Sequence, residues 1–148
     1  GVIDLESDRL MLVEAGVRNT STNQPLPQRL DSIHRAREKL ILDTNPQAVV
    51  LEKLYAHYRH PTTSYILGQA RGVICQVCAE KKVDFFEYAA TRVKKSVVGN
   101  GLASKSQVQR TVAGIMGIKT LPKYNDVTDA LALAIAHSHI ARTLKVIK

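Results

Sequence analysis

Ala48-Val49-Val50-Leu51-Glu52 is a run of four apolar residues closed by a carboxylate. The turn signal Asp43-Thr44-Asn45-Pro46 lies before it, and a polar loop, Lys53–Thr63, follows. So short a run, apolar throughout and bounded by turn residues, is consistent with a strand buried on both faces, as in parallel sheets. Patterns of helical period flank it on both sides, so the chain reads as an α/β domain.

Outward from this strand, the elements follow in order. Gly1–Leu5 and Leu10–Val17 are predicted strands joined by the polar turn Glu6-Ser7-Asp8-Arg9, a hairpin by spacing. A loop with Pro25 and Pro27 leads to an amphipathic helix marked by Leu30, Ile33, Ala36 and Leu40. Beyond the central strand, a long helix carries Ile66, Leu67, Ala70, Val73, Ile74, Val77 and Cys78 on its apolar face. Its second stripe, Gly68, Gly72, Cys75 and Ala79, is made of small residues. Glycine weakens a helix, so two at such positions suggest close approach of another backbone, from the sheet or from a second copy. Val83–Tyr88 is a further strand. A short basic helix, Thr91 to Val98, is ended by Gly99, with Gly99-Asn100-Gly101 as a flexible break. Ser104 can cap a helix reaching about Ile118, and the loop Lys119–Asn125 precedes the final helix. No repeat appears, and 148 residues suit a single domain.

The balance of 21 Lys+Arg against 13 Asp+Glu gives a formal charge of +8, which suits a polyanionic partner such as DNA or RNA. Lys94, Lys95, Lys105 and Arg110 fall together, and His57, Arg59 and His60 form a second group. No segment approaches membrane-span length and no secretory leader opens the sequence, so a soluble protein of the reducing cytoplasm is expected. Cys75 and Cys78 form a C-x-x-C without the second ligand pair of a zinc site, and are expected to be small core residues.

Chemistry gathers at the last helix. Asp126-Val127-Thr128-Asp129 opens it, and residues three apart share a helix face. Continuing that face gives Leu133, Ala136 and Ile140, so both carboxylates are expected to head a buried stripe at the edge of a core. The helix macrodipole favours aspartate at such a position without any ligand, whereas paired carboxylates can also share a cation. Glu52 lies at the carboxyl end of a strand, where open α/β sheets place their sites. If Glu52, Asp126 and Asp129 converge, their hard oxygens select Mg²⁺, with Mn²⁺ possible, over zinc. Two such ions beside a basic surface suit hydrolysis of a phosphodiester in nucleic acid.

Three stretches carry a family resemblance. They are the run from Tyr88-Ala-Ala-Thr-Arg-Val-Lys-Lys to Ser-Gln-Val-Gln-Arg110, Leu67-Gly-Gln-Ala-Arg-Gly-Val73, and Asp126-Val-Thr-Asp-Ala-Leu-Ala-Leu-Ala-Ile-Ala-His137. With Val49-Val-Leu-Glu52 they resemble, in collinear order over nearly the whole chain, the RuvC crossover junction endodeoxyribonucleases. The resemblance implies a ribonuclease-H-like mixed sheet flanked by helices and a homodimer. It also implies metal-dependent, symmetric nicking of four-way (Holliday) junctions in DNA recombination and repair, alongside the branch-migration proteins of the Ruv system. By position it implies Glu52, Asp126 and Asp129 as ligands of two ions, Lys94 and Lys105 near the scissile phosphate, and Tyr55 stacking at the junction centre. Arg59, Lys95 and Arg110 join these as expected DNA contacts, and Gly68 and Gly72 as expected dimer-interface positions.

One departure stands out. The family opens with a strand of the type G-I-D-P-G, whose aspartate is the first metal ligand, whereas Gly1-Val2-Ile3-Asp4 resembles the start of the second strand. Two strands precede the first helix where this fold needs three, so the sequence is expected to be N-terminally incomplete. Asp4, beside a hairpin turn, is given no catalytic role. The alternative expectation is therefore a module that binds branched DNA without cutting it.

Overall fold

A computed structural model describes residues 1–54 and 61–146. The element order is β1 (Val2–Glu6), β2 (Arg9–Glu14), α1 (Leu26–Thr44), β3 (Ala48–Glu52), α2 (Pro61–Glu80), β4 (Asp84–Tyr88), α3 (Ala90–Val98), α4 (Lys105–Met116) and α5 (Asn125–Val146). Two compact units result: Gly1–Val17 with Tyr88–Lys148, and Arg18–Glu87. Among the described residues, hydrogen bonding pairs β1 with β2 and β3 with β4, giving two two-stranded sheets where the sequence suggests one mixed sheet.

In the first unit, β1 and β2 run antiparallel with Ile3 opposite Leu12, Leu5 opposite Leu10 and Glu6 opposite Arg9. The turn is thus only Ser7-Asp8, shorter than the four polar residues suggest. Both adopt positive φ, 45° and 70°, the twist that a two-residue hairpin turn requires. Strand β2 also ends at Glu14, short of Val17. β1 packs on α5 so closely that a Cβ on Gly1 would lie 2.6 Å from Leu131 Cδ2. Helices α3, α4 and α5 pack on one another and bury Val93, Val97, Val108, Val112, Leu131 and Ile135.

The buried seam of α5 is Val127, Thr128, Leu131, Ala132, Ile135 and Ala136; of the stripe headed by the two aspartates it takes in Ala136 and leaves Leu133 and Ile140 half-buried. At 3.6 residues per turn this seam leaves Asp126 on nearly the opposite side and Asp129 on its flank. The helix is apolar almost all round, so periodicity alone could not choose between faces; packing against β1, α3 and α4 does.

In the second unit, α1 lies against α2. Ile41, Val77 and Cys78 form the buried centre, with Val49, Ile74, Val83 and Phe85 packed on it. Pro27 falls inside the first turn of α1 rather than in the preceding loop, where its missing N–H costs nothing. Across the α1–α2 face, Lys81 Nζ meets Glu38 Oε1 at 2.5 Å, and His34 Nε2 meets Glu80 Oε2 at 3.2 Å. The Lys81 hydrogen bond holds the Glu38 carboxyl below its usual range. The apolar face read for α2 is buried only toward its C-terminal end: Ile66 and Leu67 are exposed, as is Tyr65. Cys78 is buried and Cys75 half-buried, both as free thiols, and burial pushes the Cys78 thiol up.

Candidate active site

The first unit carries six of the expected site residues on three helices: Lys94 and Lys95 on α3, Lys105 and Arg110 on α4, Asp126 and Asp129 on α5. α5 starts with Val127 and Thr128 buried, and the Thr128 hydroxyl donates to the Asn125 carbonyl at 2.8 Å. These two anchor the helix start, leaving Asp126 exposed and Asp129 half-buried. Neither carboxylate is paired with a cation among the described residues. The helix N-terminus supplies favourable partial positive charge to both.

α3 presents Lys94, half-buried, and Lys95, exposed, while Val93 and Val97 hold its opposite side in the core. The segment after it is a structured turn rather than a flexible break. Gly99 takes φ 84° and its N–H donates to the Lys95 carbonyl. Asn100 accepts from Leu102 N at 2.9 Å, and Ala103 is buried. A Cβ at Gly101 would press on the Thr91 carbonyl at 3.1 Å, so this close approach calls for glycine. The turn delivers the chain to Ser104, whose hydroxyl accepts from Gln107 N at 3.2 Å while the Gln107 side chain accepts from Ser104 N at 2.8 Å. This reciprocal cap fixes the first residue of α4, Lys105, at the surface. Arg110 is exposed on the same helix.

A shallow groove of about 360 Å³ between α3 and α5 adds Arg92, Lys95, Ser96 and His139 to the basic surface. His139 Nδ1 lies 3.1 Å from the Ser96 carbonyl. The guanidinium of Arg92 sits 5.2 Å over the Tyr88 ring.

The second unit carries Glu52, exposed at the carboxyl end of β3 and without a salt-bridge partner among the described residues. Gly68 and Gly72 are exposed on α2, and a Cβ at either would meet nothing within 4 Å. Among the described residues, therefore, nothing packs closely on either glycine. Tyr55 and Arg59 lie outside the described residues. Within either unit, no three described His, Cys, Asp or Glu side chains are grouped to hold a metal ion. Asp126 and Asp129 belong to one unit and Glu52 to the other.

Sequence reasoning passed over two residues here. Arg71 on α2 donates from Nη1 to the Glu52 carbonyl at 2.8 Å and forms an ion pair with Glu87 of β4. Arg71 is the one basic residue of α2, which was the available signal.

The chain matches the family model described as crossover junction endodeoxyribonuclease RuvC over residues 1–137. It belongs to the RuvC family. Its relatives include the RuvC proteins of Alkaliphilus oremlandii, 35% identical over all of this chain and 90% of that one, and Rhodopirellula baltica, 39% identical over 95% and 79%. Among solved structures, Thermus thermophilus RuvC superposes with a TM-score of 0.88 at 30% identity, over 95% of this chain and 86% of that one. The same protein in complex with a Holliday junction substrate superposes at 0.89. Membership in the RuvC family makes the chain a hydrolytic nuclease, with the ribonuclease-H-like fold of its structural neighbours, from a family that is generally metal-dependent. No described helix is long and apolar enough to cross a membrane.

Proposed function

We propose that this chain resolves four-way DNA junctions by symmetric nicking, with Glu52, Asp126 and Asp129 as ligands of two Mg²⁺ ions and Mn²⁺ as a substitute. The observation that carries this reading is the pair of carboxylates at the head of α5, unpaired among the described residues, in the same unit as Lys94 and the capped Lys105. The donor set is carboxylate oxygen throughout, which suits a hard divalent cation. The metal, when bound, would activate water and stabilise the leaving oxygen of the phosphodiester. The chain's own residues supply the rest. Lys94 and Lys105 bring positive charge to the scissile phosphate, and Lys95, Arg110 and Arg59 hold the flanking backbone. Tyr55 stacks on a base at the splayed junction centre, a contact worth roughly 1–3 kcal/mol.

The stripe of Gly68 and Gly72 supports a homodimer in which α2 meets its copy, and two nicks per junction call for two sites. The free thiols suit work in the reducing cytoplasm, alongside the branch-migration proteins of the Ruv system.

Nicking of a mobile four-way junction tests the reading. The protein should cut in Mg²⁺ and not in chelator. Asp129→Asn should abolish nicking and keep junction binding, because it removes a ligand charge and leaves the basic surface intact. Wild-type nicking by that variant would refute the assignment. Binding without cutting by the wild-type chain in Mg²⁺ would leave a branched-DNA-binding module.

A further inference from the structure

Arg71 holds three groups at once. Nη1 donates to the Glu52 carbonyl at 2.8 Å, Nη2 forms the ion pair with Glu87, and the guanidinium lies 5.9 Å from the centre of the Phe85 ring. Its side chain is only 18% exposed. Phe85 and Glu87 alternate along β4, so they share one face of that strand. A single side chain from α2 therefore ties the carboxyl end of β3 to its neighbour β4. Arginine suits this work because its planar fork offers several donors in fixed directions, which the single ammonium of lysine does not.

The partners divide in a telling way. Arg71 takes the backbone oxygen of Glu52 and forms no salt bridge with its carboxylate. The charge of the guanidinium is met by Glu87 instead. The last carbonyl of the strand is held, while its carboxylate forms no salt bridge among the described residues.

We propose that Arg71 is a positioning residue for Glu52, and that Glu87 neutralises Arg71 so that it does not compete with the metal ion. This rests on the reading of Glu52 as a metal ligand. Residues that orient a ligand typically govern metal affinity by 10–100-fold, and here the orienting contact is to the backbone.

The test compares Arg71→Ala, Arg71→Lys, Glu87→Gln and Glu52→Gln. Three readouts apply: the Mg²⁺ concentration for half-maximal junction nicking, Mn²⁺ binding followed by electron paramagnetic resonance, and thermal unfolding. Arg71→Ala should raise the Mg²⁺ midpoint about tenfold and weaken Mn²⁺ binding in parallel, with nicking recovering at high Mg²⁺. Arg71→Lys should fall between it and wild type, because a point charge cannot serve both Glu52 and Glu87. Glu87→Gln should also raise the midpoint, since it frees the guanidinium to turn on the Glu52 carboxylate. A lower melting temperature with Mg²⁺ and Mn²⁺ responses within twofold of wild type, for both Arg71→Lys and Glu87→Gln, would reduce Arg71 to a structural strut. These two variants decide the matter even if Arg71→Ala does not fold. Glu52→Gln separates the two readings: wild-type nicking by it would overturn Glu52 as a ligand, and this proposal with it. Loss of nicking by Glu52→Gln beside unmoved Arg71 and Glu87 variants would overturn the positioning role alone.

Discussion

Tyr88 Oη and His137 Nδ1 stand 2.9 Å apart, joining the residue that opens the C-terminal part of the first unit to the middle of α5. Both are shielded from water, and burial acts on them in opposite directions. It raises the Tyr88 phenol and lowers the His137 imidazole from its ordinary value of 6.5, so the neutral form of each is favoured. A neutral imidazole without a proton on Nδ1 accepts a hydrogen bond from the phenol O–H; the tilted rings lie 5.9 Å apart.

That arrangement gives stability a definite pH dependence. The His137 pKa is lowered on folding, so the unfolded chain binds a proton more readily than the folded one. Stability is then fully present above about pH 6.5 and is lost as the pH falls toward the folded value. The melting temperature should therefore decline as the pH falls below about 6.5, and His137→Gln should flatten that decline. An equal decline in wild type and variant would place the acid sensitivity elsewhere.

The cap of α4 makes a second prediction. Ser104 and Gln107 each satisfy a backbone N–H of the other, and Lys105 is the first residue they order. Ser104→Ala should cost about 1 kcal/mol, a drop of roughly 2–4 °C in melting temperature for a chain of this size. Ser104→Thr should restore most of it. Calorimetry reads both. Nicking should fall more in the alanine variant than the loss of folded protein explains, because the position of Lys105 loosens.

Ser104 as that cap was legible in the sequence, as were the hairpin, the helix end at Gly99, and strand β3. Each depends on residues within a few positions of one another. The seam of α5 was not legible. Alanine and leucine surround that helix, and only the elements packed on it select Val127, Leu131 and Ile135 over Leu133 and Ile140. Arg71 was illegible for a related reason, since Glu52 and Glu87 lie far from it along the chain and near it only after folding. Asp126 and Asp129 were singled out by spacing, but their surroundings were misjudged: the same spacing that puts them on one face could not say which face is dry.

Gly72 separates helix stability from assembly. Among the described residues the space around it is open, so Gly72→Ala should strengthen α2 by roughly 0.5–1 kcal/mol if nothing else touches that face. If two copies meet there, the added methyl should instead weaken the dimer, and Gly72→Leu should split it into folded monomers. Sedimentation at several concentrations distinguishes these outcomes. A leucine variant that remains as dimeric as wild type would remove the small-residue stripe from the interface.

Lys105 gives the sharpest electrostatic test, because its place is fixed and its charge is unpaired among the described residues. Each phosphate neutralised by a basic side chain releases condensed counterions, so the logarithm of the binding constant falls with the logarithm of salt by about 0.9 per contact. Lys105→Ala should therefore reduce the salt slope for junction binding by about one. Its binding deficit should be greatest at low salt and should shrink as salt rises. Asp129→Asn should do the opposite in the absence of metal: it removes a negative charge from the phosphate's approach, so binding should hold or tighten while nicking is lost. Lys105→Gln keeps the length of the side chain without the charge, and should match the alanine variant in slope. A normal slope for glutamine beside a reduced one for alanine would mean that the aliphatic stem, not the ammonium, makes the contact. Lys105 would then be a packing residue at the start of α4, and the scissile phosphate would lose one of its two proposed lysines.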